Sequence, residues 1–210
     1  MFRDNNSYLL VIKSKDSSVY SIKLMFCIIL EIRRNYSDVL HQTVDTGHYD
    51  IIEHLVKELK FDVNAYDLIG CTPLHCVPMN DPRGIAKLLV ESGACVFAET
   101  LYDRETVTFG CEMENDFDSA FYKYMKEVEG ELGVINEGKV YAAFDFQDNE
   151  NESCSENEEI DDELRFIEGE ELWILSKGNE KNTKWWFARN AQGDEGFIPR
   201  NLISLYPKLV

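Results

Sequence analysis

Basic residues are scarce in this 210-residue chain: 21 Lys and Arg stand against 39 Asp and Glu, a formal net charge of −18. An acidic surface repels nucleic-acid phosphate and attracts basic protein surfaces, so general nucleic-acid binding is excluded and a basic protein is the favoured kind of partner. No C-x-x-C occurs among Cys27, Cys71, Cys76, Cys95, Cys111 and Cys154, and no Cys/His group has zinc spacing. Neither a metal site nor a cofactor is expected. With nothing like a signal peptide at the front, the expectation is reduced thiols in the cytosol or nucleus. A membrane span is lacking too: the apolar run Leu24 to Leu30 falls far short of the ~20 residues a helix needs to cross a bilayer. There is no G-x-S-x-G, phosphate loop, H-E-x-x-H or Cys–His pairing, and the carboxylates cluster where nothing desolvates them, so an enzyme is not expected.

What is present begins with a repeat. Leu40-His41 returns as Leu74-His75, 34 positions on. The first copy runs through Gly47-His48, Ile51-Ile52, Leu55-Val56 and Asp62-Val63-Asn64-Ala65. The second runs from Gly70-Cys71-Thr72-Pro73-Leu74-His75 through Ile85, Leu88-Leu89-Val90, Ser92-Gly93-Ala94 and Val96 to Phe97-Ala98. A period near ~33 residues with T-P-L-H resembles the ankyrin signature. Each unit then reads as two short antiparallel helices and an extended finger, with Thr72 capping and Pro73 in the first turn. Pro78 and Pro82 predict an irregular turn between the helices of the second copy. His41 and His75 read as structural, bonding backbone between neighbouring units. Further on, Phe117, Phe121, Met125, Val128 and Leu132 recur at helical spacing and predict one apolar face of a closing helix.

From Val140 the pattern changes to short strands rich in aromatic and branched residues, with Leu172, Ile174, Trp186, Ala188, Phe197 and Ile198 as the expected core. Its blocks are Ala142-Ala143-Phe144-Asp145-Phe146, Asp162-Glu163-Leu164-Arg165-Phe166 with Glu168-Gly169-Glu170, Trp185-Trp186-Phe187-Ala188-Arg189, and Gly196-Phe197-Ile198-Pro199-Arg200-Asn201-Leu202. In that order they resemble an SH3 domain. The fold class expected is therefore multidomain α + β, an ankyrin-repeat α-solenoid followed by a small all-β SH3 barrel. By this reading 38–133 holds about two and a half repeats and 138–207 the barrel with a long acidic RT loop. Residues 1–37 are an N-terminal segment or the remnant of a broken repeat, with a candidate strand at Leu9 to Ile12 and a candidate helix at Leu24 to Ile32. So few repeats bury their faces poorly alone, which predicts a barrel packed rigidly on the stack. No flexible Gly/Ser tract separates the two.

Ankyrin repeats followed directly by an SH3 domain resemble the C-terminal half of the apoptosis-stimulating-of-p53 (ASPP) family. The passages Leu89-Val90-Glu91-Ser92-Gly93-Ala94, Glu131-Leu132-Gly133-Val134-Ile135-Asn136 and Asn201-Leu202-Ile203-Ser204-Leu205-Tyr206-Pro207 match it as well. The resemblance implies a protein–protein interaction module of cytoplasm and nucleus. It implies binding to the DNA-binding domain of p53-family transcription factors, regulation of apoptosis and p53-dependent transcription, and a contribution to docking protein phosphatase 1. The alternative is a general SH3/ankyrin adaptor for proline-rich, phosphatase or cytoskeletal partners.

Carried over position by position, the resemblance places the partner-binding groove at Phe144, Phe146, Trp185, Pro199 and Leu202. Three of these positions hold tyrosines in many SH3 domains, and here all three lack the hydroxyl. Each lost donor costs ~1 kcal/mol, so proline-rich peptides are expected to bind weakly and a folded ligand is favoured. Asp162 and Glu163 match acidic loop positions beside the groove and are expected to pair with Arg or Lys of a partner. From Asp145 to Glu171 there are thirteen acids and one base, Arg165. The insertion between Phe146 and Asp162 is expected to be solvated and extended by its own charge.

Overall fold

The computed structural model describes residues 36–81, 84–147, 162–178 and 183–209. The candidate elements before Tyr36 and the body of the acidic insertion lie outside them. The chain divides into Met1–Val39 and Leu40–Val210, and the second is one compact unit holding both the repeat region and the barrel.

The repeat region is built from short helices. Helix α1 (Tyr36–Asp45) buries Leu40 and Val44. Helix α2 (Tyr49–Glu53) runs on into a π-helical turn (His54–Glu58), and Ile52, Leu55 and Val56 fall on one buried face. The inner helix expected after Thr72 is a single 3₁₀ turn, Pro73–Cys76. Its brevity follows from Pro78: the residue before a proline is barred from the helical region, and Val77 is extended (φ −67°, ψ 127°). Helix α3 (Ile85–Glu91) is instead capped from a distance. The Asp81 carboxylate accepts from the amides of Ile85 (2.6 Å) and Ala86 (3.1 Å). Helix α4 (Phe109–Glu114) precedes α5 (Ala120–Glu131), whose N-cap Ser119 accepts from the Tyr122 amide. Phe121, Met125, Val128 and Leu132 line the buried face of α5 as their spacing predicts. Phe117 does not join them: it precedes the cap, is 48% exposed, and meets Tyr122 edge to face.

The two histidines of the repeats hold backbone. His41 Nε2 lies 2.9 Å from the Cys71 carbonyl. His75 Nδ1 accepts from the Thr72 amide (3.2 Å) and Nε2 donates to the Glu105 carbonyl (3.3 Å), which fixes a neutral ring. Burial lowers its pKa, so the unfolded chain binds the proton more readily than the folded one. Stability from this site is complete above the ordinary histidine pKa and is lost as pH falls below it toward the depressed folded value. Thermal melts should therefore show a lower transition at pH 5.5 than at pH 7.5, with the difference shrinking in His75→Gln. An unchanged difference would contradict the assignment.

The barrel is a five-stranded antiparallel sheet of order β4-β3-β2-β1-β5, with β1 Lys139–Ala142, β2 Glu171–Ser176, β3 Trp185–Asn190, β4 Glu195–Pro199 and β5 Ile203–Ser204. Leu172, Ile174, Trp186, Ala188 and Ile198 point inward, as expected. Phe197 does not. Consecutive strand residues face opposite sides, so Phe197 and Ile198 cannot both enter the core. The register pairs Trp186 with Ile198 inside and Phe187 with Phe197 outside, where the two phenyl rings lie 5.2 Å apart.

The repeats and the barrel share a dense joint. Asn64 ties the two fingers, donating to the Gly93 carbonyl and accepting from the Cys95 amide (both 2.8 Å). Cys95 in turn forms a β-bridge to Ser204 of β5. Phe97 meets the edge of Trp186 at 5.5 Å, and the Arg200 guanidinium covers Phe97 at 4.2 Å. Lys177 lies over Trp186 and donates to the carbonyls of Glu129 and Gly130 at the end of α5, where a helix favours a cation. Lys208 bridges Asp62 of the first finger and Glu168 of the barrel at 3.1 and 2.7 Å. Gly133 and Gly138, both at positive φ, let the connecting chain lie directly against Ile174.

Candidate functional site

Strand alternation decides the fate of the tryptophan pair. Trp186 enters the core at 3% exposure, so Trp185 must face the other way, where it is half-buried. The register places Trp185 directly across from Pro199. Phe146 comes to the same spot from the stem of the RT loop. Its backbone exchanges two hydrogen bonds with Phe166 (2.9 and 3.0 Å), and its ring meets Trp185 edge to face at 5.9 Å. Phe146, Trp185 and Pro199 thus make one apolar patch on the outer face of the barrel.

The backbone of Asp162 to Leu164 is held by the close of the barrel. The Phe197 amide donates to the Asp162 carbonyl (2.7 Å), and the Leu164 amide donates to the Phe197 carbonyl (2.9 Å). Gly196 permits this crossing: a Cβ there would sit 2.5 Å from the Asp162 carbonyl oxygen. Asp162 is exposed. The Glu163 carboxylate is ion-paired with Arg165 within the chain. The Arg165 guanidinium also covers Phe146 at 4.7 Å, a cation–π contact. Of the two acids, Asp162 is the one that faces solvent.

Phe144 and Leu202 flank a backbone contact between the end of β1 and the turn after β4. The Ala143 amide donates to the Leu202 carbonyl (2.8 Å), and Leu202 closes the 3₁₀ turn Arg200–Leu202 that follows Pro199. The Phe144 ring stacks on Tyr66 of the first finger, with centroids 6.1 Å apart and planes 22° from parallel. The Tyr66 hydroxyl donates to the Glu99 carbonyl at 3.3 Å, and the Glu99 carboxylate pairs with Lys184 at 2.9 Å, next to Trp185. Sequence reasoning named neither Tyr66 nor the Glu99–Lys184 pair. The available signal was a single aromatic following Asn64-Ala65 in the finger, which periodicity does not single out.

Cys76 is pushed up to about 12 by burial, and burial also raises Cys71 and Cys95, so these thiols stay protonated. Among the described residues no His/Cys/Asp/Glu group could hold a metal, and no helix is long and apolar enough to cross a membrane.

The SH3 domain family matches residues 156–200 and the ankyrin repeat family residues 69–101. The RelA-associated inhibitor of Mus musculus is 33% identical over 170 residues, covering 81% of this chain and 19% of that protein. Apoptosis-stimulating of p53 protein 2 of Homo sapiens is 36% identical over 170 residues, covering 81% and 14%. Over this region the chain is a homologue of the apoptosis-stimulating-of-p53 (ASPP) family. It spans less than a fifth of the length of these relatives. The C-terminal SH3 domain of myosin IB from Entamoeba histolytica aligns at 29% identity over 31% of this chain and 77% of that one, with a TM-score of 0.22 that adds nothing to the fold. Ankyrin and SH3 domains and the ASPP homologues are interaction modules, and this ASPP homologue carries both domains in one compact unit.

Proposed function

We propose that this region binds a basic folded protein, a p53-family DNA-binding domain above all, and through it regulates apoptosis and p53-dependent transcription in cytoplasm and nucleus. The observation that carries the reading is the half-buried Phe146–Trp185 ring pair on the outer face of the barrel of a strongly acidic chain, with the exposed Asp162 bonded through its carbonyl to the Phe197 amide of β4. An apolar anchor on an acidic surface suits a hydrophobic side chain flanked by Arg or Lys. In this reading the repeats form a short solenoid that holds the barrel, and the role is binding rather than turnover. Phosphatase 1 is a second partner in keeping with the homology. Proline-rich adaptors are the weaker alternative, since Phe144, Phe146 and Leu202 offer no hydroxyl to a peptide carbonyl.

The test is a titration of a p53-family DNA-binding domain at rising salt. Binding should weaken about tenfold between 50 and 200 mM salt, mostly through slower association, because the attraction is screened. Asp162→Lys should slow association further and flatten that dependence. Absence of binding at low salt, or indifference to Asp162→Lys, would sink the reading.

A further inference from the structure

We propose that residues 205–209 form a strap that closes the barrel onto the repeats, and that the charge on Lys208 holds it shut: once that amine is neutralised, the strap lifts while both domains stay folded. The proposal is independent of the partner reading above.

The strap has a firm root. Leu205 is 1% exposed, Ser204 forms the β-bridge to Cys95, and the Ser204 hydroxyl donates to the Tyr206 carbonyl at 2.8 Å. Beyond Tyr206 the chain crosses the end of α3. Gly93 lets it lie flush there: a Cβ at that position would stand 2.6 Å from the Lys208 Cα and 2.7 Å from its backbone nitrogen. The backbone of the strap is nonetheless loosely held. Among the described residues, 207–209 make one backbone–backbone hydrogen bond, from the Leu209 amide to the Ser92 carbonyl, and it is long at 3.4 Å. Pro207 is exposed and has no amide to donate.

Lys208 supplies the rest of the hold. Its Nζ donates to Glu168 of the barrel at 2.7 Å and pairs with Asp62 of the first finger at 3.1 Å. An isolated surface ion pair contributes little. This one differs in two ways. The lysine side chain is 21% exposed, less than half as much as either acid. The two carboxylates also reach the same nitrogen from opposite sides of the joint. Take the cation away and two like charges face each other across the seam, so attraction gives way to repulsion. Burial works against the lysine's charge, yet the bonds to Glu168 and Asp62 outweigh it and raise its pKa, so the amine stays protonated at neutral pH. Ionic strength, or any chemistry that neutralises this amine, is thereby coupled to how tightly the repeats hold the barrel.

The experiment follows the full chain by NMR, reading backbone nitrogen relaxation and amide exchange at Lys208 and Leu209, with the Trp186 indole signal as the report on folding. Wild type at low salt should be as ordered there as β5, and Lys208→Arg should match it. Lys208→Gln should speed exchange of the Leu209 amide about tenfold and leave the Trp186 signal in place. Adding Asp62→Asn to Lys208→Gln should recover part of the order, because it removes the repulsion; a lysine that only packs would show no such recovery. Equal order in wild type and Lys208→Gln, a strap already mobile in wild type, or no recovery with Asp62→Asn would each overturn the proposal. Should Lys208→Gln fail to fold, wild type alone decides. Loss of order at Lys208 and Leu209 between ~0.05 and ~1 M salt, with Trp186 unmoved, supports the strap, and unchanged order overturns it.

Discussion

Trp185→Ala is expected to weaken binding of a p53-family DNA-binding domain about thirtyfold, or ~2 kcal/mol, the loss typical of a tryptophan anchor at an interface centre. The side chain is half-buried on the outer face of β3 and meets Phe146 edge to face. Removing it deletes one ring of the patch and leaves the barrel core untouched. The melting temperature should therefore fall by only a few degrees. Calorimetric titration at fixed salt, beside a thermal melt, separates the two effects. Unchanged affinity would place the contact elsewhere on the molecule.

Trp186→Ala should do the opposite. The neighbouring indole is 3% exposed, and deleting a buried tryptophan costs ~3–5 kcal/mol. Here the damage also crosses the joint. Phe97 loses the ring it meets at 5.5 Å, and Lys177 loses the face it covers at 5.2 Å while holding the end of α5. The expected result is one cooperative transition at a much lower temperature, identical by helical circular dichroism and by fluorescence of the remaining tryptophans. Two separated transitions would show that the repeats and the barrel stand independently.

Much of this was legible in the sequence because it rests on local rules. The period of 34 positions between Leu40-His41 and Leu74-His75 marked two buried leucines, each followed by a histidine that bonds backbone. The resemblance to the SH3 motif set Trp186 in the core, where it lies, and Trp185 outside it. The errors came where a local rule met a neighbour. Phe117 keeps helical spacing, yet Ser119 starts the helix two residues later. Phe197 is as apolar as Ile198, but the register with β3 admits only Ile198 to the core. Tyr66 was invisible for a different reason. Its partner Phe144 is 78 residues away, and no periodicity reports a contact across two domains.

The seat of the connecting chain on Ile174 has a practical consequence. Adding a methyl at Gly133 would bring it 3.1 Å from that side chain, and at Gly138 it would come 2.9 Å from its carbonyl oxygen. There is no slack tether here for a protease to cut or for a cloning scheme to splice. Exchanging the barrel as a cassette for one from another protein would strip away the sealing surface on which both halves depend.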